Sequence, residues 1–462
     1  MILYTQNNTE SPVDFAILNN SAVFGNCTIV QRAPQLNFLV VQVPVNNSTY
    51  YQNELLKIPG VLNIEPDVIR IPEILSPFSS LSSSATLVSD QWAFNRTNLQ
   101  SARSLIRNET PPVTIAVLDT GVNISDTDLL PILNPHGFDW VENRSLVQDT
   151  DGHGTYLSGI LYAMTRGENS TEGVNISLIP ERVGTNASGI YASCSAAAIY
   201  HAADNGAQII LMGYGGSEQS PAEEAAITYA TGKGCILIAP AGNDASNEGH
   251  YPSDYSDVIS VGSTANSDGL SYFSNYGIFV DLVAPGENIL STGTNNSVIS
   301  ATGTSPAAVM VTGAAALVKS ANPELNRDQI IGIITSSARD LGRTGCDIYY
   351  GSGLLNIDAA VRESIKQRTN LINTTATQTL TINSSHLRPH QHLNSSASTS
   401  IKRSISSEKV SVEIPLSSGW NFVSIPSFPA SGKTSKDLFQ GINTDGHTIW
   451  KYDAVRQDWI SV

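Results

Sequence analysis

From residue 111 onward, continuous apolar runs alternate with stretches of helical spacing. Val113–Leu118 (VTIAVL) is the β-branched run expected of a parallel strand buried on both faces. His153–Met164 has helical spacing, Ile176–Ile179 reads as a strand, and Ala196–Asn205 as a helix stopped by Gly206. Ile209–Met212 and Ile236–Ala239 are further buried strands around a helix at Pro221–Thr231, and Val258–Val261 and Val280–Val283 continue the series. The last element opens at Gly303–Val318, GTSPAAVMVTGAAALV. Gly303 permits a tight bend, Thr304 and Ser305 suit a helix N-cap, and Pro306 fits the first helical turn. This alternation predicts an α/β fold, a parallel sheet with helices on both faces and ligands at the carboxyl ends of its strands.

Residues 13–72 carry a different pattern. Val13–Leu18, Asn37–Val43, Val61–Ile64 and Val68–Ile71 read as strands, and Tyr50–Lys57 as a short helix ahead of the Pro59-Gly60 turn. Ser-rich residues 73–90 form a linker, after which Gln91-Trp92 and Leu99–Ile106 lead into the large domain. Residues 366–408, rich in Ser, Thr, Asn and Gln, read as a second linker. Strand-like VSVEIPL, GWNFVSIP and HTIWKYDAVRQDWISV then suggest a partial β module whose close lies beyond Val462. The expected division is a small α+β unit at 1–72, linker at 73–90, α/β domain at 91–365, linker at 366–408 and β module at 409–462.

Charge narrows the partners. The chain of 462 residues carries a net −16 and has no basic run, which argues against nucleic acid as a partner. No stretch approaches 18 consecutive apolar residues, so no membrane span is expected. The first residues lack the basic and apolar regions of a signal peptide. Sixteen Asn-X-Ser/Thr sequons are nevertheless present, against roughly seven expected from composition. They predict an exported, glycosylated chain at the cell surface or outside it, with its true N-terminus upstream. Four scattered cysteines suit neither a disulfide framework nor a zinc site, and Cys194 and Cys235 read as inert buried thiols.

Three residues in that order carry candidate chemistry. Asp119 ends the first buried strand, in VLDTG, where a carboxylate is costly without a partner. His153 starts a helix in DGHGTYLSG, and Ser305 stands at a helix N-terminus with its own N–H free. A serine nucleophile needs a base, and the base needs a group that holds its tautomer. Asp, His, Ser is one of the chain orders that build this arrangement.

With these motifs, residues 91–362 resemble a subtilisin-family (subtilase) serine peptidase. The resemblance implies a triad of Asp119, His153 and Ser305. It also implies an oxyanion hole from Asn243, in APAGND, with the Ser305 amide. Gly213, Tyr214 and Gly215 would form the edge that pairs with substrate backbone, Tyr214 making its apolar wall bulkier than usual. Gly215 with Ala239, Pro240, Ala241 and Gly242 would line the pocket for the side chain before the scissile bond. Asp128 aligns with a structural calcium ligand, completed by the loop Thr165–Glu172; catalysis itself would need no cofactor. LLKIPGVLNIEPDVIRI (Leu55–Ile71) resembles the end of the family's prodomain, which implies an intramolecular inhibitor. The C-terminal module resembles one recurrent in archaeal surface proteins. Tyr156, Pro306 and the Val309-Met310 pair depart from the family pattern behind the site.

The expected partner is a peptide or protein substrate. An apolar pocket would direct self-cleavage into the window from Glu73 to Ser84, after Leu81. Two rivals stand beside this reading: a catalytically silent scaffold that binds peptides along its edge, and an esterase of the same nucleophile chemistry.

Overall fold

The computed structural model describes residues 1–5, 27–33, 38–75, 79–80, 91–106, 111–166, 173–295, 297–369, 450–453 and 458–461. They fall into two compact units, Met1–Leu387 and Arg388–Val462.

The first unit opens with strands β1 (Ile2–Thr5), β2 (Thr28–Ala33) and β3 (Phe38–Gln42), helix α1 (Ser48–Leu55) and strand β4 (Val61–Glu65). The antiparallel order is β2-β3-β1-β4, so the sheet is organised around Ile2 and Leu3 at the very start of the chain. A reading that begins the unit at residue 13 misses this inner strand; Val13–Leu18 lies outside the described residues. The next strand, β5 (Ile69–Pro72), leaves this sheet altogether. It runs antiparallel to β11 (Gly189–Tyr191), itself hairpinned to β10 (Gly184–Thr185), on one side and to β13 (Tyr214–Gly215) on the other. Beyond it, β6 (Ser79–Ser80) pairs with β18 (Val298–Ala301), itself hairpinned to β17 (Ile289–Thr292).

After α2 (Trp92–Arg96) and α3 (Leu99–Ser104), the predicted alternation unfolds. Its strands are β7 (Val113–Asp119), β8 (Phe138–Asp139), β9 (Ile176–Arg182), β12 (Ile209–Met212), β14 (Ile236–Pro240), β15 (Val258–Thr264) and β16 (Leu282–Pro285). They form a parallel sheet in the order β16-β15-β14-β12-β7-β9-β8. Alternate residues serve opposite faces. Ile115, Val117, Ile209, Leu211, Ile236 and Ile238 enter one core with α4 (His153–Thr165) and α7 (Thr304–Ala321). Ala116, Leu118, Ile210, Met212, Leu237 and Ala239 enter another with α5 (Ala192–Asp204) and α6 (Pro221–Gly232). Each fully buried Ile or Leu contributes about 1.5–3 kcal/mol. Every residue of α7 except Lys319 is buried, which accounts for its lack of a polar face. Helix α8 (Arg327–Ser336) and a helix over 357–369 complete the unit.

In the second unit, Trp450–Asp453 pairs antiparallel with Asp458–Ser461. VSVEIPL and GWNFVSIP lie outside the described residues.

Candidate functional site

The strands β7, β12 and β14 deliver the candidate residues to one edge of the sheet. Asp119 is the last residue of β7, Gly213 follows β12, and Asn243 follows β14. His153 begins α4, and Ser305 lies in the first turn of α7.

Asp119, His153 and Ser305 are all fully buried. His153 Nδ1 lies 2.7 Å from Asp119 Oδ1, which also accepts the Thr120 N–H at 2.8 Å. That carboxylate oxygen fixes the ring's orientation and favours the tautomer with the proton on Nδ1. His153 Nε2 is buried and has no hydrogen-bond partner among the described residues. Ser305 Oγ donates to Gly213 O at 2.9 Å. A Cβ on Gly154 would meet Gly121 O at 2.1 Å, so a glycine beside His153 is what lets the helix start against β7.

Asn243 Oδ1 accepts from both Thr304 N and Thr304 Oγ1 at 2.9 Å. These two bonds use the Oδ1 acceptor and leave the Nδ2 donor out of the contact with Thr304. The loop that carries Asn243 is held by Asn275, whose Oδ1 accepts the Asp244 and Ser246 amides.

Asp149, which motif reading does not single out, takes five hydrogen bonds. Its donors are Thr120 Oγ1, the Asp151, Gly152 and Thr155 amides, and Thr155 Oγ1 at 2.6 Å. This buried carboxylate pins the start of α4 and with it His153. The signal was an Asp four positions before the helical His. Tyr156 is buried and donates to Ile289 O at 2.8 Å, tying α4 to β17.

The chain's own residues 69–75 occupy the cleft. Pro72 pairs with Tyr214 and Ile71 with Gly215. Glu73 N donates to Gly213 O at 3.2 Å, and Glu73 O accepts the Ser305 amide at 3.2 Å. Ile74 N reaches back to Pro72 O, closing a three-residue turn on Glu73, and Leu75 N donates to Thr302 O at 2.8 Å. The carbonyl on the Ser305 amide is therefore that of Glu73. Leu81, the residue expected at this place, lies outside the described residues; beside the Glu73 side chain stands His250, whose Nε2 lies 2.9 Å from Glu73 Oε1, off the line of a good hydrogen bond.

Tyr214 also departs from expectation. It is fully buried, with its hydroxyl 2.7 Å from Ser195 Oγ, which in turn donates to Glu223 Oε1 at 2.7 Å. It backs a polar pocket instead of forming an apolar wall. Ala239 packs into the α5–α6 core and Ala241 against Val280, Val283 and Leu354. Their side chains belong to the core, whereas Gly242 abuts His250.

Two carboxylates of the N-terminal unit meet helix N-termini of the large domain. Glu65 Oε1 accepts Ser220 Oγ at 2.8 Å before α6, and Asp67 accepts Ser193 N and Oγ at the start of α5. Burial raises the Asp67 carboxyl above its ordinary range, against the hydrogen bonds from Ser193.

Asp128 is exposed, and among the described residues no three His, Cys, Asp or Glu side chains group to hold a metal. Of the loop Thr165–Glu172, which was to complete a calcium site, residues 167–172 lie outside the described residues. The four cysteines are free; desolvation pushes Cys235 up to about 11 and Cys194 to about 12, as befits inert thiols.

The sequence profile of the subtilase family matches residues 111–353. Subtilisin DY of Bacillus licheniformis is 35% identical over 260 residues, covering 54% of this chain and 91% of that relative. Thermitase of Thermoactinomyces vulgaris is 35% identical over 250 residues, covering 54% and 88%. Among solved structures, an epidermin leader peptide processing serine protease from Staphylococcus aureus superposes with a TM-score of 0.62 at 22% identity. That likeness in fold covers 78% of this chain and 98% of the other.

Proposed function

Because this chain belongs to the subtilase family of serine endopeptidases, we propose that Ser305, His153 and Asp119 are its catalytic triad and that residues 1–72 are its inhibitory prodomain. The observation that carries this reading is a peptide carbonyl, that of Glu73, on the Ser305 amide beside the 2.7 Å His153–Asp119 bond.

In the reaction, His153 Nε2 takes the Ser305 hydroxyl proton as Oγ bonds to the carbonyl carbon. The Ser305 amide and Asn243 Nδ2 stabilise the oxyanion. As the carbon–nitrogen bond breaks, His153 gives that proton to the leaving amine, and Asp119 stabilises the imidazolium between the two transfers. Water then adds to the acyl carbon, yielding a proton to His153, and the Ser305 ester bond breaks as Oγ regains it. One peptide bond and one water become an acid and an amine, with no metal or cofactor in any step.

The strand β5 in the cleft and the two carboxylates at helix N-termini support the inhibitor role of residues 1–72. Self-cleavage at the bond after Glu73 follows from its carbonyl's position. Export is supported by sequon asparagines on the surface, among them Asn95, Asn143, Asn175, Asn186 and Asn295, and among the described residues no helix is long and apolar enough to cross a membrane. A structural calcium at Asp128, completed by the loop Thr165–Glu172, belongs to the same proposal.

Labelling with a serine-directed fluorophosphonate tests the reading. The wild type should label and cleave; Ser305→Ala should do neither while staying folded. One observation favours the silent-scaffold alternative, since Ser305 Oγ donates to Gly213 O and not to His153. A wild type that neither labels nor cleaves would establish it.

A further inference from the structure

Four consecutive residues fill the upstream half of the cleft, and their exposure differs sharply. Ile71 is 59% exposed, whereas Arg70 is 0% and Glu73 4% exposed. Ile69, one residue further upstream, is also half exposed. The large domain therefore encloses two side chains, at the first and fourth positions before the Glu73–Ile74 bond, and both are charged.

Arg70 enters a pocket built to receive a guanidinium. Its Nη2 lies 2.7 Å from Glu223 Oε2, and its Nη1 donates to Glu218 O at 2.5 Å. Glu223 is itself fully buried, and its other oxygen is held by Ser195 Oγ, backed by the Tyr214 hydroxyl. A buried carboxylate in this setting is strongly disfavoured unless a cation meets it. An apolar side chain in its place would strand the Glu223 charge.

Glu73 enters a second pocket, where the His250 ring is wedged between two chain segments. A Cβ on Gly215 would stand 2.1 Å from His250 Nε2, and one on Gly242 would stand 2.8 Å from His250 Nδ1. The imidazole thus takes up the space that side chains on either wall would need, and it presents Nε2 to the Glu73 carboxylate at 2.9 Å.

From these two pockets we infer that this peptidase cleaves after glutamate in substrates that carry arginine three residues earlier, with Glu223 reading the arginine and His250 reading the glutamate. The inference rests on the peptidase reading above and specifies its substrate class: extended Arg-X-X-Glu segments in peptides or proteins. Residues at the two X positions are read weakly, since Ile71 faces solvent and Pro72 contributes mainly backbone pairing to Tyr214. The Glu73–Ile74 bond is the copy of this substrate that the chain carries in itself.

The test uses the full chain, allowed to self-process, with internally quenched peptides containing Arg-Ile-Pro-Glu-Ile. Matched peptides replace the glutamate by glutamine or leucine, or the arginine by citrulline, which keeps the shape without the charge. The parent peptide should be cleaved after glutamate with kcat/KM at least ~10-fold above each replacement, because a buried charge left unpaired is rejected strongly. His250→Gln should erase the glutamate-over-glutamine preference, and Glu223→Gln the arginine-over-citrulline preference, each leaving the other preference standing. That crossed pattern is one that general misfolding would not produce. As a second measurement, intact mass should place wild-type self-cleavage after Glu73, with Glu73→Gln or Arg70→Ala slowing it at least ~10-fold. Equal or better cleavage of the leucine peptide, or a mature chain beginning after Leu81, would overturn the inference while leaving the peptidase reading intact. A chain that cleaves no peptide although Ser305 reacts with fluorophosphonate would instead overturn the peptidase reading, and the specificity with it.

Discussion

Two buried acid–base pairs at the same 2.7 Å separation stand along the cleft: Asp119–His153 and Glu223–Arg70. In both, the side chains are wholly removed from solvent. They differ in what is left over. The first pair lies within the large domain, and its His153 Nε2 and Asp119 Oδ2 are buried without a partner among the described residues. The second joins residues 153 positions apart, and Arg70 Nη1, Arg70 Nη2 and both Glu223 oxygens are engaged. An unmade hydrogen bond in the interior costs free energy, so one that persists at His153 marks a group kept ready for an incoming proton. The Glu223–Arg70 pair, in which Arg70 Nε alone is left without a bond among the described residues, serves to hold something in place.

Removing the tautomer control at the first pair should have the largest effect. Asp119→Asn should lower kcat by about 10,000-fold while leaving the melting temperature close to wild type. Breaking the second pair should act on stability instead. In a Ser305→Ala background, Arg70→Ala leaves Glu223 buried and unpaired, and denaturant unfolding of the uncleaved chain should show a loss of roughly 3–5 kcal/mol. Exchanging both partners for apolar residues of similar size should recover much of that loss. At the oxyanion hole, Asn243→Ala should reduce kcat by roughly 100- to 1000-fold with KM little changed, because the donor meets charge only as the oxyanion forms.

A third acid–base pair, Glu181–His201, sets the smallest expected effect. His201 Nδ1 lies 2.6 Å from Glu181 Oε1, and Trp140 Nε1 donates to Oε2. Burial pushes the Glu181 carboxyl up to about 7, against the bonds from His201 and Trp140. Burial opposes protonation of His201, but the bond to Glu181 outweighs it and raises the imidazole. Both groups hold protons more tightly folded than unfolded. Their contribution to stability is therefore complete in acid and is lost as pH rises through 7. The melting temperature should fall by roughly 2–4 °C between pH 5 and 8, and Glu181→Gln should flatten that slope.

The groups proposed to react were legible in the sequence because each sits in a short segment with its own local reason. Asp119 ends a strand, His153 and Ser305 begin helices, and neighbouring glycines allow close approach. Strand positions were equally plain wherever a run was buried on both faces, as at Ile209–Met212. The selecting groups were not legible. Glu223 and His250 are isolated residues on segments remote from β5, and only the folded chain brings them to Arg70 and Glu73. The family resemblance made Tyr214 an apolar wall, although its hydroxyl is the part that decides the pocket's character. Sequons mislead in the same way: Asn123 meets the acceptor pattern, yet it is buried, with its amide bonded to Thr294 O. The β1 strand escaped notice because four residues are too short to show an alternation.

The tight seat of His250 has a bearing on how this peptidase could diversify. An ancestor or descendant with a different preference would need a wider or more apolar pocket, and Gly215 and Gly242 are the obvious places to add bulk. Gly215 cannot accept even one carbon while the imidazole is present, whereas Gly242 is held to glycine by Asn275 Nδ2 and by its φ of +105° whatever stands at position 250. The mutational route is therefore ordered: position 250 must change first, through an intermediate with an empty pocket, and only then does the Gly215 wall become free to vary. Lineages that never lose the histidine are confined to glycine at position 215, a restriction that a directed-evolution experiment could watch being lifted.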